Sequence, residues 1–333
     1  MTLLQENSNS VSFRAQSRDL SVSILQTLKY SDHFDFPLTK EEIYLRLIGA
    51  QSTHIQLTHT LNQMIKKSQI KKTGIYYHLS GRKSLIAHRL VRTKLSIGTL
   101  ARAKLLTSHL SLFPFILAIY LTGSLAMSNS EGDSDIDLMI VTKDHRLWTT
   151  RFILTIYTEF MGLRRHPHAK RSAGKLCLNL YLTPASYTLP IHKQSLYTAY
   201  ELIQAVPLYD PHNTHAQLLA ANPWIHSYLP NAPSGPGPVG HNNLPTGPGP
   251  IGLTIERICY HLQLLYMRKK ITRELITPDA AFFHPHDPGV KALRGLSLKG
   301  LPARSLAKEG IPGCKPSRAR QQAKGESSIE PDV

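Results

Sequence analysis

Apolar residues recur at helical spacing over Leu20, Val22, Ile24, Leu25 and Leu28, which predicts a first helix. Phe36-Pro37-Leu38-Thr39 opens a second, with Thr39 as N-cap and Glu42 three residues on, the spacing of a capping box. It is expected to run through Ile43, Leu45, Leu47 and Ile48 to a C-cap at Gly49. A third helix from about Ser52 should turn Ile55, Leu57, Leu61 and Met64 inward and end at Lys66-Lys67. Two strand-like pieces follow, around the turn Thr73-Gly74 within Ile70 to Leu79.

Three helices and a hairpin predict a winged helix-turn-helix over residues 1–80. A connecting helix is expected over 81–111, running from about Arg82 to Leu110. An α/β core follows over 112–230: strands at Phe115–Leu121, Asp135–Val141 and Leu176–Leu182 alternate with helices at Trp148–Gly162 and Tyr197–Val206. The Pro- and Gly-rich stretch 231–252 reads as a linker. Residues 253–288 read as a C-terminal helical segment. Its helix, Leu253–Ile276, should set Ile255, Ile258, Leu262, Leu265 and Met267 against Arg257, Arg268, Lys269 and Lys270 and pack back on the core. The tail 289–333, Gly-, Ser-, Lys- and Arg-rich without periodicity, is expected to be disordered and basic.

Composition narrows the function classes. The longest apolar run, Leu112–Leu121, is interrupted by Pro114 and is half the ~20 residues of a membrane span, so no membrane segment is expected. The start of the chain has no basic flank before an apolar stretch, so no secretory signal is expected and the cytoplasm is the expected location. Cys177, Cys259 and Cys314 are far apart, which argues against a disulfide framework and a cysteine-based zinc site. The net charge of +17 is uneven: +10 over residues 1–120, +1 over 121–230, +1 over 231–290 and +5 over 291–333. No acidic residue lies between Glu42 and Glu131. Lys66, Lys67, Lys71 and Lys72 of the third helix and wing are therefore candidate nucleic-acid contacts, although a plain solvated face or a module docked on the next domain accounts for them equally.

The chemistry concentrates between the first two core strands. Asp135 and Asp137, two apart on a strand, project from one face while Ile136 and Leu138 enter the core. Paired carboxylates of this kind need a compensating cation, and hard oxygen ligands suit Mg²⁺ or Mn²⁺. Upstream, Gly123-Ser124 sits where a strand gives way to a helix, the setting in which backbone N–H groups meet phosphate.

The segment LTGSLAMSNSEGDSDIDLMIVT resembles the DNA polymerase β-like nucleotidyltransferase superfamily, whose pattern is Gly-Ser, a spacer and Asp-x-Asp in an apolar strand. The resemblance implies an α/β (α+β) core with a mixed sheet. It also implies transfer of a nucleoside monophosphate from an NTP, with ATP the expected donor, to an acceptor hydroxyl of RNA, protein or a small molecule. Gly123 and Ser124 would position the triphosphate, helped by Lys143, and Asp135 and Asp137 would hold metal. The third carboxylate usual in active members would fall at Asn179, since the alternation of Leu176–Leu182 sends Cys177, Asn179 and Tyr181 to one face. An amide there brings no charge and takes no proton. The alternative reading is a winged-helix nucleic-acid-binding regulator whose core binds nucleotide without turning it over. Glu131 and Asp133, Arg146 and Arg151, the basic loop Arg164–Arg171 and the cluster His284-Pro285-His286-Asp287 are weaker candidates.

Overall fold

The computed structural model describes residues 19–132, 134–166, 173–235, 248–268 and 274–283. Its first elements are α1 (Leu20–Asp32), β1 (Leu38–Thr39), α2 (Lys40–Leu45), α3 (His54–Lys66), β2 (Lys71–Thr73) and β3 (Tyr76–His78). The three strands form a small sheet in the order β1-β3-β2. The expected capping box is present: Glu42 N–H donates to Thr39 Oγ1 and Thr39 N–H to a Glu42 carboxylate oxygen. Thr53 and Gln56 form a second one, so α3 starts at His54 rather than near Ser52. Leu57, Leu61 and Met64 are buried as predicted, but Ile55 is 83% exposed. It lies two positions before Leu57, about 200° around the helix and so on the side opposite the buried stripe. The second helix is shorter than expected and stops at Leu45, which is exposed; Gly49, at φ +71°, lies beyond it in a loop.

α4 (Ser84–Leu110) is the connecting helix. It is bolted to the small domain by Arg89, whose guanidinium makes two hydrogen bonds to the Glu42 carboxylate at 2.8 and 2.7 Å. The same group lies 4.0 Å from the Phe36 ring centre. Arg82 binds Asp32 and Asp35, Arg92 binds Glu131, and Arg102 donates to Gly174 O. Much of the acid-free basic run is thus engaged internally, while Lys66, Lys67, Lys71 and Lys72 stay exposed.

The large sheet is mixed, with strand order β7-β4-β5-β6-β9-β8. It comprises β4 (Ile116–Leu121), β5 (Ile136–Thr142), β6 (Leu176–Leu182), β7 (Val206–Tyr209), β8 (Leu275–Ile276) and β9 (Ala280–Phe282). β5 and β6 are parallel, joined over the sheet by α6 (Leu147–Phe160), and the other pairs are antiparallel. The four-residue α5 (Gly123–Ala126) lies between β4 and β5. α7 (Leu196–Gln204), α8 (Thr214–Ala220) and α9 (Ile225–Tyr228) complete the core, and α10 (Pro250–Met267) follows.

Three expectations are corrected here. Val206 begins a strand rather than ending a helix. Residues 275–276 and 280–282 of the supposed helical segment are strands, a short hairpin that extends the sheet beyond β6. α10 starts at Pro250, inside the stretch read as linker, and buries Glu256, Cys259, Gln263 and Met267, leaving Ile255, Ile258, Leu262 and Leu265 exposed. The physical reason is α6, whose first turn lacks a side-chain cap from Arg146. Glu256 supplies the acceptors, taking hydrogen bonds from Trp148 N–H at 2.6 Å and from Thr149 N–H and Oγ1 at 2.8 and 2.6 Å. Gln263 donates to Trp148 O at 2.9 Å.

The two faces of the large sheet are covered differently. α6 and α10 pack on the face carrying Ile136, Leu138 and Ile140. The opposite face, with Met139 and Val141, is covered by α7 to α9 and by the amino-terminal domain itself, since Tyr30 and Ile48 belong to that core. Polar contacts reinforce the junction: Gly49 N–H donates to Tyr228 O at 2.8 Å, Tyr200 O–H to Arg46 O at 2.8 Å and Asn231 Nδ2 to Tyr44 O at 3.1 Å. Among the described residues no helix is long and apolar enough to cross a membrane. The predicted tail 289–333 and most of the linker lie outside them.

Candidate active site

β4 is buried at every position and delivers the chain to Thr122, whose N–H closes the β4–β5 ladder on Asp137 O at 3.0 Å. The chain then turns sharply at Gly123, which has φ +66°. A side chain here would be strained, and a Cβ would sit 2.5 Å from Asp137 Oδ2. Gly123 therefore lets the Gly123-Ser124 turn pack directly on the carboxylate. Both residues are exposed, at the first turn of α5, where helical N–H groups lack intrahelical partners.

On β5, Ile136 and Leu138 are fully buried while Asp135 and Asp137 are half-buried on the other side. An oxygen of each aspartate and Cys177 Sγ lie within 4.8 Å of one another. Cys177 stands opposite Asp137 on β6. Its thiol is pushed up to about 12, by burial first and then by the Asp137 charge, so it stays protonated at neutral pH. Asn179 Nδ2 donates to Asp137 Oδ1 at 2.9 Å. Arg165 Nε meets Asp135 Oδ2 at 2.9 Å. Burial lowers the guanidinium pKa, but the Cys177 contact and the charges of Asp135 and Asp137 outweigh it and raise the value overall.

Residues 102–182, from α4 to the end of β6, match the nucleotidyltransferase domain family. This chain contains a nucleotidyltransferase domain. No curated protein matches the chain, and no solved structure does.

The nucleotidyltransferase domain brings Gly123, Ser124, Asp135, Asp137 and Asn179 together, but not Lys143. That lysine follows the far end of β5, six residues and so roughly 20 Å along the strand from Asp137. Arg146 and Arg151 pack against aromatic rings, the first over Phe115 and the second over Phe283. Neither is part of the aspartate cluster. Glu131 is an exposed partner of Arg92. Asp133, residues 167–172 and the cluster His284–Asp287 lie outside the described residues.

The register of β6 departs from simple alternation. A bulge shifts the pairing from Leu138↔Leu178 to Met139↔Leu180. Asn179 therefore faces Asp137 as expected, but Tyr181 passes to the opposite face and is buried against the α6 side. Two members of the cluster went unrecognised in the sequence. Arg165 is one basic residue among several in the loop Arg164–Arg171, and Cys177, although on the face of Asn179, is far in sequence from the aspartates it meets.

Proposed function

We propose that the protein is a metal-dependent nucleotidyltransferase that moves a nucleoside monophosphate from an NTP, with ATP the expected donor, to an acceptor hydroxyl and releases pyrophosphate. The observation that carries this is the packing of the Gly123-Ser124 turn on Asp137 within a matched nucleotidyltransferase domain. Two half-buried carboxylates converging on one point fit a hard dication such as Mg²⁺ or Mn²⁺; the protonated thiol of Cys177 adds little to such a site. Asp135 and Asp137 would hold it, and when bound it would supply charge neutralisation at the phosphate under attack.

The chain's own groups do the rest. The α5 turn offers N–H donors and the Ser124 hydroxyl to the phosphates. Asn179 fixes the rotamer of Asp137 by donating to one oxygen and leaves the other toward Gly123. Arg165 balances Asp135 and is placed to follow developing negative charge. Asn179 cannot accept the acceptor's proton, so that proton must pass to an aspartate or to water. A cytoplasmic setting, where NTP is abundant, belongs to the same proposal.

Purified protein with Mg²⁺ and each α-labelled NTP should release pyrophosphate and, in cell extract, label one class of acceptor: RNA, protein or small molecule. The reading fails if neither NTP binding nor pyrophosphate release exceeds that of an Asp135→Ala/Asp137→Ala variant.

A second reading is favoured by one observation: α1 to α3 and the β1-β3-β2 sheet have the order of a winged helix, with the outer side of α3 and the four lysines of its end and hairpin exposed. It makes this domain a nucleic-acid contact, bringing an acceptor to the site or acting without turnover. Removing Lys71 and Lys72 should then reduce the slope of log affinity against log salt by about 2 for duplex DNA; no binding at low salt would end this reading.

A further inference from the structure

A cavity of about 270 Å³ lies between the amino-terminal domain and the core. One wall is Gly123 and Ser124; the others are largely aromatic, with Tyr30 and Phe34 from the end of α1 and Tyr197 and Tyr200 from α7. Tyr30 and Tyr200 stack at 4.3 Å between ring centres, which fixes that wall. Gly123 is thus a partition one residue thick: one side faces the cavity, the other touches Asp137.

Charge and size say what fits. The cation on the lining, Arg46, is 86% buried by its 14% side-chain exposure, lies 3.9 Å from Glu42 and donates to Met127 Sδ at 3.3 Å. Glu201 on the lining adds a negative charge. A cavity with this balance does not attract a triphosphate. Its volume falls just below the usual span of ligand sites, ~300–1,000 Å³, enough for one ring system and too little for a whole nucleotide. Aromatic walls favour stacking against a planar face, and Gln204 brings an amide to the lining, while the Asn129 amide donates to Phe34 O and accepts from Arg92.

We propose that this cavity seats an uncharged planar ring of one reactant, with its phosphate- or hydroxyl-bearing end directed past Gly123 toward Asp135 and Asp137. The ring is either the donor's base or an aromatic ring of the acceptor. The amino-terminal domain then has a direct part in substrate selection, through Tyr30 and Phe34. The inference deepens the nucleotidyl-transfer reading and rests on it for the direction of the ligand.

The test uses the full chain, with Tyr197→Ala to open the cavity and Gln204→Phe to fill it, both kept only if circular dichroism is native. Calorimetric titrations compare each NTP, inorganic tripolyphosphate with Mg²⁺, and each free nucleoside. The expected result is one NTP binding at least about tenfold more tightly than tripolyphosphate, with that gain lost in both variants while tripolyphosphate affinity is kept; this assigns the ring to the donor. Unchanged NTP affinity with transfer in extract reduced about tenfold assigns it to the acceptor. Folded variants with wild-type NTP affinity and wild-type transfer overturn the proposal. If the wild type binds neither NTP nor tripolyphosphate, the transfer reading fails. The cavity is then judged by free nucleosides: binding lost in both variants upholds a ring site, and no binding refutes it.

Discussion

Replacing Gly123 by alanine separates the two demands that the turn makes on this position. The first is conformational: at φ +66°, a residue with a Cβ costs about 1–2 kcal/mol. The second is steric, since the new methyl would lie 2.5 Å from Asp137 Oδ2 and 3.2 Å from its Cγ. Ordinary contact begins at 3.4 Å, so the carboxylate or the turn must retreat by about 1 Å. That retreat also strains the 2.9 Å hydrogen bond from Asn179, a bond to a charged group worth about 1.5–3 kcal/mol. The expected total is about 2–4 kcal/mol, a fall in Tm of roughly 5–10 °C, with turnover reduced about 100-fold by misplacement of the reacting groups. Gly74 is the control: its φ is +58° and a Cβ there meets nothing within 4 Å, so Gly74→Ala should lose about 1 kcal/mol and no activity. Melting curves and pyrophosphate release at saturating NTP decide the matter. Gly123→Ala with turnover within about threefold of wild type would refute the reasoning.

Other outcomes follow from the same structure. Glu256→Ala should cost about 3–5 kcal/mol, because it strands the buried donors of Trp148 and Thr149; a melting temperature within about 2 °C of wild type would contradict that role. Asn179→Asp removes the donor to Asp137 and adds a third negative charge, so the variant should melt lower without Mg²⁺ and gain more Tm from added Mg²⁺ than wild type does. Burial pushes the Glu42 carboxyl up, but the Arg89 hydrogen bonds and charge, the Thr39 N–H and Arg46 together hold it below 4.5. Its stabilisation is therefore present above pH ~4.5 and lost as pH falls through the lower folded value. Glu42→Gln should melt lower at neutral pH and show a flatter decline on acidification; parallel curves would exclude this linkage.

What could be read from the sequence was what local chemistry dictates. The capping box at Thr39 acts through a residue three positions on, and the apolar run of β4, the Gly123 turn and the two aspartates share one continuous stretch whose pattern shows their order. What could not be read depended on partners distant in the chain. The bulge in β6 is a matter of pairing with β5, so strict alternation placed Tyr181 on the wrong face while leaving Asn179 correct. α10 looked like a helix that buries isoleucine and leucine, yet its inward side is chosen by the uncapped start of α6, over a hundred positions earlier. Arg165 and Asp135 meet only because the chain crosses over between β5 and β6.

The interlock of the amino-terminal domain with the core has a consequence for how the chain is made. Tyr30 and Ile48 emerge early, but Tyr200, Tyr228 and Leu229 of the same core follow more than about 150 positions later. At ~5–20 residues per second, synthesis leaves that surface without its cover for on the order of ten seconds or more. The small domain can assemble its own centre around Leu38, Leu57 and Leu61 in that interval, yet its docking side must wait. A core expressed without residues 19–80 would keep the same surface bare permanently, so a truncation at the connecting helix should yield aggregate rather than a folded nucleotidyltransferase domain.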